Sequence, residues 1–526
     1  MNMKVENDQL SISGQINVDA LAGLKEQGVE VLICNRPDGE EADQPSFEEI
    51  KAAAAEIGIE AHHIPYAPGA FTDADRKNFA AVLDGGKRTH AYCRTGGRVG
   101  GIVKAIEDAK SATDTKSDSG SESYDVVIIG AGSAGISTAA SLHKRNASAS
   151  IALIDPSEDH YYQPGWTMVG GGVFGAETTH KKMQDVIPSF TKWIKDSVAL
   201  FNPAENTVTL TSGKVVSYKH LVVAPGLKLN WAGIEGLEET LGKNGVTSNY
   251  QFGLASYTWK LVQELKGGKA LFTQPPMPIK CAGAPQKALY LSASEWFSSG
   301  RLKDIDISFY NAGGVLFGVA DYVPALMEYM DKYKVDLQFN NTLFKIDGES
   351  KTAWFKTKND AGEETIVESK FDMIHVCPPQ CAPDFISSSE LADAAGWLDV
   401  DPASLQHKKF PNVWGAGDVM NTTNAKTMAA ARKQAPVVAQ NITEAMAGKS
   451  GTAAYDGYGS CPLTVEKGKV VLAEFTYGGK VNPTFPDWVN DGTKPTKLAW
   501  TLKANVLPTI YWNAMLKGHE WFAGPK

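Results

Sequence analysis

The chain lacks any apolar run near the roughly 18 residues that a membrane-spanning helix needs. It lacks a basic excess. Its 51 Lys and Arg against 60 Asp and Glu leave a net charge of -9, which argues against nucleic acid as a partner. It has little cysteine: Cys34, Cys93, Cys281, Cys377, Cys381 and Cys461 are scattered over 526 residues. That is too few for a disulfide scaffold, so any special cysteine here is chemical, in a reducing compartment. The first residues, MNMKVENDQLS, carry neither an apolar signal core nor an Arg-rich transit pattern. What is abundant is glycine, 50 residues, with 43% hydrophobic side chains. A folded chain rich in tight turns follows, too long for one domain.

One stretch divides it. Residues 111–123, SATDTKSDSGSES, hold no large apolar side chain and read as a flexible linker. Before it, residues 1–110 alternate strand and helix: VEVLICNRP, then SFEEIKAAAAEIG behind a Ser cap, IEAHHIPYAP, DADRKNFAAVLDGG, and THAYCRTGGRVGGIVKAIEDAK. Such alternation predicts a small parallel sheet and an α/β class. The remaining residues divide into 124–240 with 371–450, an inserted 241–370, and a terminal 451–526.

The second part opens with the buried-strand pattern YDVVIIG and then Gly130-Ala-Gly132-Ser-Ala134-Gly135 before a helix. Gly130 permits a tight turn, Gly132 lets a pyrophosphate approach the backbone, and Gly135 lets helix meet sheet. Asp155, ending the next strand 20 residues on, is placed to accept from a ribose hydroxyl. Farther on, FPNVWGAGDV puts Gly415, Gly417 and Asp418 after a short strand and before a helical run, with Lys426 near that run's start. This distant return resembles FAD enzymes of the disulfide-reductase type, in which the Asp meets the ribityl chain. In the inserted domain, GGKALFTQP reads as the strand that should precede a nicotinamide cradle. No glycine cradle follows; Cys281 stands in its place, in PIKCAGAPQK. A sulfur reductant, not a nicotinamide, is the expectation.

Residues 124–526 resemble the sulfide:quinone oxidoreductases, especially their mitochondrial-type branch. The resemblance rests on IDPSEDHYYQPGWTMVGGG (154–172), PIKCAGAPQKALYLS around Cys281, ADAAGWLDVDPASLQHKKFPNVWGAGD (392–418) and YDGYGSCPL (455–463). It implies a tandem Rossmann-like flavoprotein with FAD, oxidation of sulfide to sulfane sulfur, quinone as electron acceptor, and a small thiol or sulfite as sulfur acceptor. Cys281 matches the family's first active-site cysteine. The position after the G-x-G-D motif, where a second redox cysteine is expected, is Val419. Cys377 and Cys381, in HVCPPQCAPD, are the candidates for the partner, and Cys461 reads as structural. Lys426 is a candidate to face the flavin or the quinone.

Quinone implies access to lipid. Four of the chain's twelve tryptophans, Trp488, Trp500, Trp512 and Trp521, fall in the last 46 residues, among Lys, Leu and Tyr. This is the composition of an amphipathic tail lying on a membrane surface. The expected setting is a bacterial cytoplasm, against the inner membrane, with a homo-oligomer left open.

Residues 1–110 resemble the beta-lactamase-hydrolase-like, dual-specificity-phosphatase-related family. HAYCRTGGRVGG places Cys93 at a strand end, with Arg94 and Arg98 around a loop that leads into a helix. Loop N–H groups and arginines of this kind hold anions and activate thiols. Four residues separate Cys93 from Arg98 where phosphatases have five, so the loop also resembles that of rhodanese sulfurtransferases. Persulfide handling by Cys93 is the favoured reading, with phosphatase chemistry and an inactive binding or scaffolding role the alternatives. Asp73 and Asp75 read as helix-cap residues, and His62 and His63 as packing, without the further ligands a metal needs. Two whole-chain alternatives stand beside the main reading: a thiol or persulfide flavoenzyme that does not use quinone, and a redox-sensing flavoprotein.

Overall fold

The computed structural model describes residues 3–5, 9–41, 44–67, 71–114, 122–358 and 362–525. The chain forms two compact units, Met1–Ser121 with Ser212–Lys214, and Glu122–Thr211 with Val215–Lys526. Most of the expected linker, residues 115–121, lies outside the described residues. The helix Gly97–Asp114 runs past its expected start, and the strand Glu122–Ile129 begins before its expected end.

The first unit is a five-stranded sheet. Leu10–Ser13, Thr89–Tyr92, Val31–Cys34 and Glu60–His63 lie side by side in parallel, and Met3–Val5 adds an antiparallel edge. The two N-terminal strands extend the alternation read from residues 29–110. The helix Phe47–Glu56 starts where Ser46 and Glu49 exchange a capping box, and Asp73–Asp84 starts with Thr72 and Asp75 doing the same. Asp75 is thus a cap partner, and Asp73 the first helical residue. His62 faces Glu60, and His63 faces the Arg36 carbonyl.

The second unit holds two Rossmann-like sheets. In the first, Glu122–Ile129 is flanked in parallel by Ile151–Ile154 and Val215–Val223, and Val413–Gly415 joins the far side of Val215–Val223. The late strand brings the second glycine motif beside the first. Helices Ser133–Arg145 and Met428–Met446 pack on each other. The second sheet has the order Val246–Thr247, Met373–His375, Gly268–Gln274, Ile305–Asn311, Asp336–Phe339, all parallel. Met373–His375 belongs to this sheet, although a division at residue 371 places it in the other. The terminal region forms the hairpin Gly459–Glu466 and Lys469–Thr476, then the short helical turns of residues 497–517. Among the described residues, no helix is long and apolar enough to cross a membrane.

Candidate functional site

The first glycine turn is built as its spacing requires. Gly130 has φ +92°, and a Cβ there would lie 2.5 Å from the Ala224 oxygen. A Cβ on Gly135 would stand 1.8 Å from the Gly130 oxygen, so the helix meets the strand only through glycine. Gly132 has no atom within 4 Å of such a Cβ. That open space faces a cavity of about 860 Å³, lined by Gly130–Ala134, Asp155, Gly417, Asp418, Lys426 and Cys281 among others. Asp155 accepts the Ala131 N–H at 2.7 Å and the Ser157 N–H at 2.8 Å, which fixes its carboxylate at the cavity wall. Gly417, at φ +81°, donates its N–H to Gln434 Oε1, and burial pushes the Asp418 carboxyl up. Lys426 donates to the carbonyls of Asp418 and Met420, both at 2.7 Å. Burial pulls its ammonium down to about 8. It therefore holds the G-x-G-D loop as well as lining the cavity.

Cys281 takes φ +50°, a left-handed conformation that costs a non-glycine residue energy. Its N–H donates to the Lys426 carbonyl at 2.8 Å, so the sulfur segment is tied to the segment after the second glycine motif. The sulfur sits just before the helix Ala284–Ser298, whose N-terminal dipole favours a thiolate.

Cys461, which the sequence reading makes structural, is the cysteine that the fold brings to it. The two sulfurs are 4.0 Å apart, and among the described residues no other cysteine sulfur comes as close. Lys287 Nζ lies 3.0 Å from the Cys281 sulfur and 3.9 Å from that of Cys461. The Cys461 thiol donating toward Cys281, together with this ammonium, holds Cys281 well below the ordinary thiol range against the pull of burial. Cys461 is pushed well above that range by the same sharing and by burial. One thiolate, on Cys281, is the state the surroundings favour. A third buried lysine, Lys503, lines the same cavity, and burial with the nearby Lys287 charge pulls it down to about 7.

Neither candidate, Cys377 nor Cys381, is the sulfur in contact with Cys281, although Cys377 packs in the same apolar cluster as Cys281, with Tyr250, Ile279 and Ala284. Cys377 follows the strand Met373–His375, its sulfur against Pro378 and Gln380, and burial pushes it up to about 12. Cys381 pairs in register with Lys228 on a two-residue strand, and burial raises it too. The cavity's far wall carries Phe485, Leu502, Val506, Leu507, Ile510 and Phe522. Its mouth adjoins exposed apolar side chains: Phe522 is 84% exposed and Trp521 59%.

In the first unit, the Cys93 sulfur is buried and receives the Gly96 N–H at 3.2 Å. Arg98 does not lie free beside it. Its Nη2 donates to both Glu40 oxygens at 2.6 and 2.8 Å, and Glu40 also takes Arg36 Nε at 3.0 Å.

Residues 124–259 match the family described as pyridine nucleotide-disulphide oxidoreductase, and residues 2–110 that described as beta-lactamase hydrolase-like protein, phosphatase-like domain. The mitochondrial sulfide:quinone oxidoreductase of Mus musculus is 39% identical over 402 residues, which span 76% of this chain and 88% of the relative. The chain belongs to the sulfide:quinone oxidoreductase family. The mitochondrial member from Dictyostelium discoideum is 42% identical over 76% of this chain and 86% of its own length. The solved structure of the Aquifex aeolicus sulfide:quinone oxidoreductase shares the fold, with a TM-score of 0.62 and 22% identity, over 76% of this chain and 92% of that one. As in that family, FAD is the cofactor, and the glycine turn, Asp155, Asp418 and the open wall at Gly132 are residues that fit it. These relatives correct the expectation of a bacterial cytoplasmic setting: the curated sulfide:quinone oxidoreductases that share most of the chain at high identity are mitochondrial proteins of eukaryotes.

Proposed function

We propose that the chain oxidises sulfide at the Cys281–Cys461 pair and passes two electrons through FAD to quinone. The pair's 4.0 Å separation with Lys287 at 3.0 Å is the observation that carries this reading. Small movements from that distance close a disulfide, whose S–S bond is about 2.05 Å. Sulfide anion then attacks the Cys461 sulfur. The S–S bond breaks, a persulfide forms on Cys461, and Cys281 leaves as thiolate, because the thiol with the lower pKa is the better leaving group. Lys287 stabilises that thiolate. A small thiol or sulfite removes the outer sulfur from Cys461 and leaves a second thiolate. Re-forming the Cys281–Cys461 bond releases two electrons. FAD, when bound, supplies the two-electron acceptance and delivery to quinone. Quinone enters through the apolar mouth between Leu502, Val506 and Phe522, with the exposed tail aromatics on the membrane surface.

Anaerobic titration of the bound flavin with sulfide tests this. Cys281→Ser and Cys461→Ser should each abolish bleaching, while Cys377→Ser and Cys381→Ser keep it. Bleaching that survives loss of Cys461 removes the pair. Sulfide-dependent reduction of decylubiquinone tests the acceptor, and its absence in a protein that bleaches normally favours a thiol or persulfide flavoenzyme without quinone.

For the first unit we propose persulfide handling by Cys93, supported by the loop N–H on its sulfur. Cys93→Ser should leave sulfide bleaching at the parental level and abolish sulfur transfer from thiosulfate to cyanide. Hydrolysis of p-nitrophenyl phosphate that depends on Cys93, with no sulfur transfer, would assign the unit to phosphatase chemistry instead.

A further inference from the structure

The C-terminal tail reaches back to the first glycine turn. The Tyr511 hydroxyl lies 2.8 Å from Ser133 Oγ and 2.6 Å from His160 Nε2. His160 Nδ1 lies 3.1 Å from the Ala131 carbonyl, which only accepts, so Nδ1 carries the proton and Nε2 is the acceptor. Burial pulls His160 down to about 4, so the ring is neutral at pH 7. The directions follow: Ser133 donates to Tyr511, Tyr511 to His160, and His160 to Ala131. This circuit joins the two residues that flank Gly132, the glycine that opens on the cavity.

The same tail is fastened at three further points. A Cβ on Gly518 would come within 2.9 Å of the Ala140 oxygen, so tail and helix Ser133–Arg145 touch backbone to backbone. Arg145 pairs with Glu520 through both of its terminal nitrogens. Arg432, on the helix after the second glycine motif, donates to the Trp521 carbonyl. The tail thus ties both helices that frame the dinucleotide cavity, and Tyr511 is wholly buried where it does so.

We propose that Tyr511 is a positioning residue for the FAD cradle, and that the C-terminal segment 511–521 is a latch on the cofactor as well as a surface for lipid. The proposal rests on the cavity's holding FAD, which the absorbance of the purified protein reports separately from any turnover. The test is the rate of FAD release from the holoenzyme, followed as the rise in free-flavin fluorescence at constant temperature and pH 7. Tyr511→Phe keeps the ring and breaks the circuit; release should accelerate about tenfold, the scale of one buried hydrogen bond lost. Glu520→Gln, which touches no part of the cradle, should accelerate it less but measurably, and it decides the matter if the first variant fails to fold. Thiolate absorbance of reduced Cys281 should be unchanged in both. Release at the parental rate in both variants, with or without a lower melting temperature, overturns the proposal, because a purely structural role for Tyr511 lowers the melting temperature without changing cofactor exit.

Discussion

A thiol becomes a thiolate through its neighbours, and beside Cys461 the neighbour that brings a charge to Cys281 is Lys287. It sits six residues after Cys281, on the first turn of the helix Ala284–Ser298, buried against both sulfurs. Lys287→Met removes the ammonium and keeps most of the volume. The Cys281 thiol should then rise toward the ordinary range, seen as loss of thiolate absorbance near 240 nm at neutral pH in the reduced enzyme. Sulfide bleaching should slow by about 10- to 100-fold, as expected for loss of a charge-assisted hydrogen bond. Unchanged absorbance would mean that the helix terminus and Cys461 suffice. Cys281 itself was legible, because a cysteine stands where a nicotinamide cradle should. Its partner was not: Cys461 lies 180 positions away on a hairpin whose approach depends on tertiary packing. Cys377 and Cys381 drew attention because they stand upstream of the second glycine motif; the fold leaves Cys377 in the apolar cluster beside Cys281 without a sulfur contact, and sets Cys381 on a strand against Lys228.

Between elements, glycine decides which approaches are open. Gly283 lies between Cys281 and the helix Ala284–Ser298, and a Cβ there would stand 2.6 Å from the Cys461 sulfur and 2.4 Å from a Leu463 methyl. The strand Gly459–Glu466 can lie against this helix start only because position 283 has no side chain. Gly283→Ala should separate the sulfurs and reduce quinone turnover by at least about tenfold, for a shift of the order of 1 Å, with FAD content unchanged. Gly135→Ala should act on the other function: its Cβ would meet the Gly130 oxygen at 1.8 Å, so the protein should purify with little FAD. Turnover at the parental level in Gly283→Ala would show that the hairpin yields. The glycine turns of the cradle were readable as motifs because a strand, a turn and the helix after it are local. The domain limits were less so. Met373–His375 is a three-residue strand whose membership in the second sheet is set by its pairing with Gly268–Gln274 and Val246–Thr247, not by its own composition.

For the whole second unit, buried neutral histidines make stability depend on acid. Burial holds His160 near 4 and His375 near 3, both almost wholly inaccessible to solvent. Unfolding returns them to about 6.5. Between these values the unfolded chain binds protons that the native unit does not, so stability rises with pH through the window and is lost as pH falls below about 6.5. At pH 5 each histidine should cost about 2 kcal/mol, about 4 kcal/mol together, well before most carboxylates begin to protonate. The two histidines serve different parts of the unit: His160 closes the Tyr511 circuit at the glycine turn, and His375 accepts the Asn249 N–H at 2.9 Å under the second sheet. Melting of the holoprotein should therefore shift down by several degrees from pH 7 to pH 5. His375→Gln, whose amide oxygen can still accept from Asn249, should remove His375's share of that slope, to which burial of His220 and His407 also adds, while keeping the melting temperature at pH 7 near the parental one. A flat profile from pH 7 to pH 5 in the parent would mean that these rings are charged or hydrated in the native state, and the direction of the Tyr511 circuit would have to be reversed.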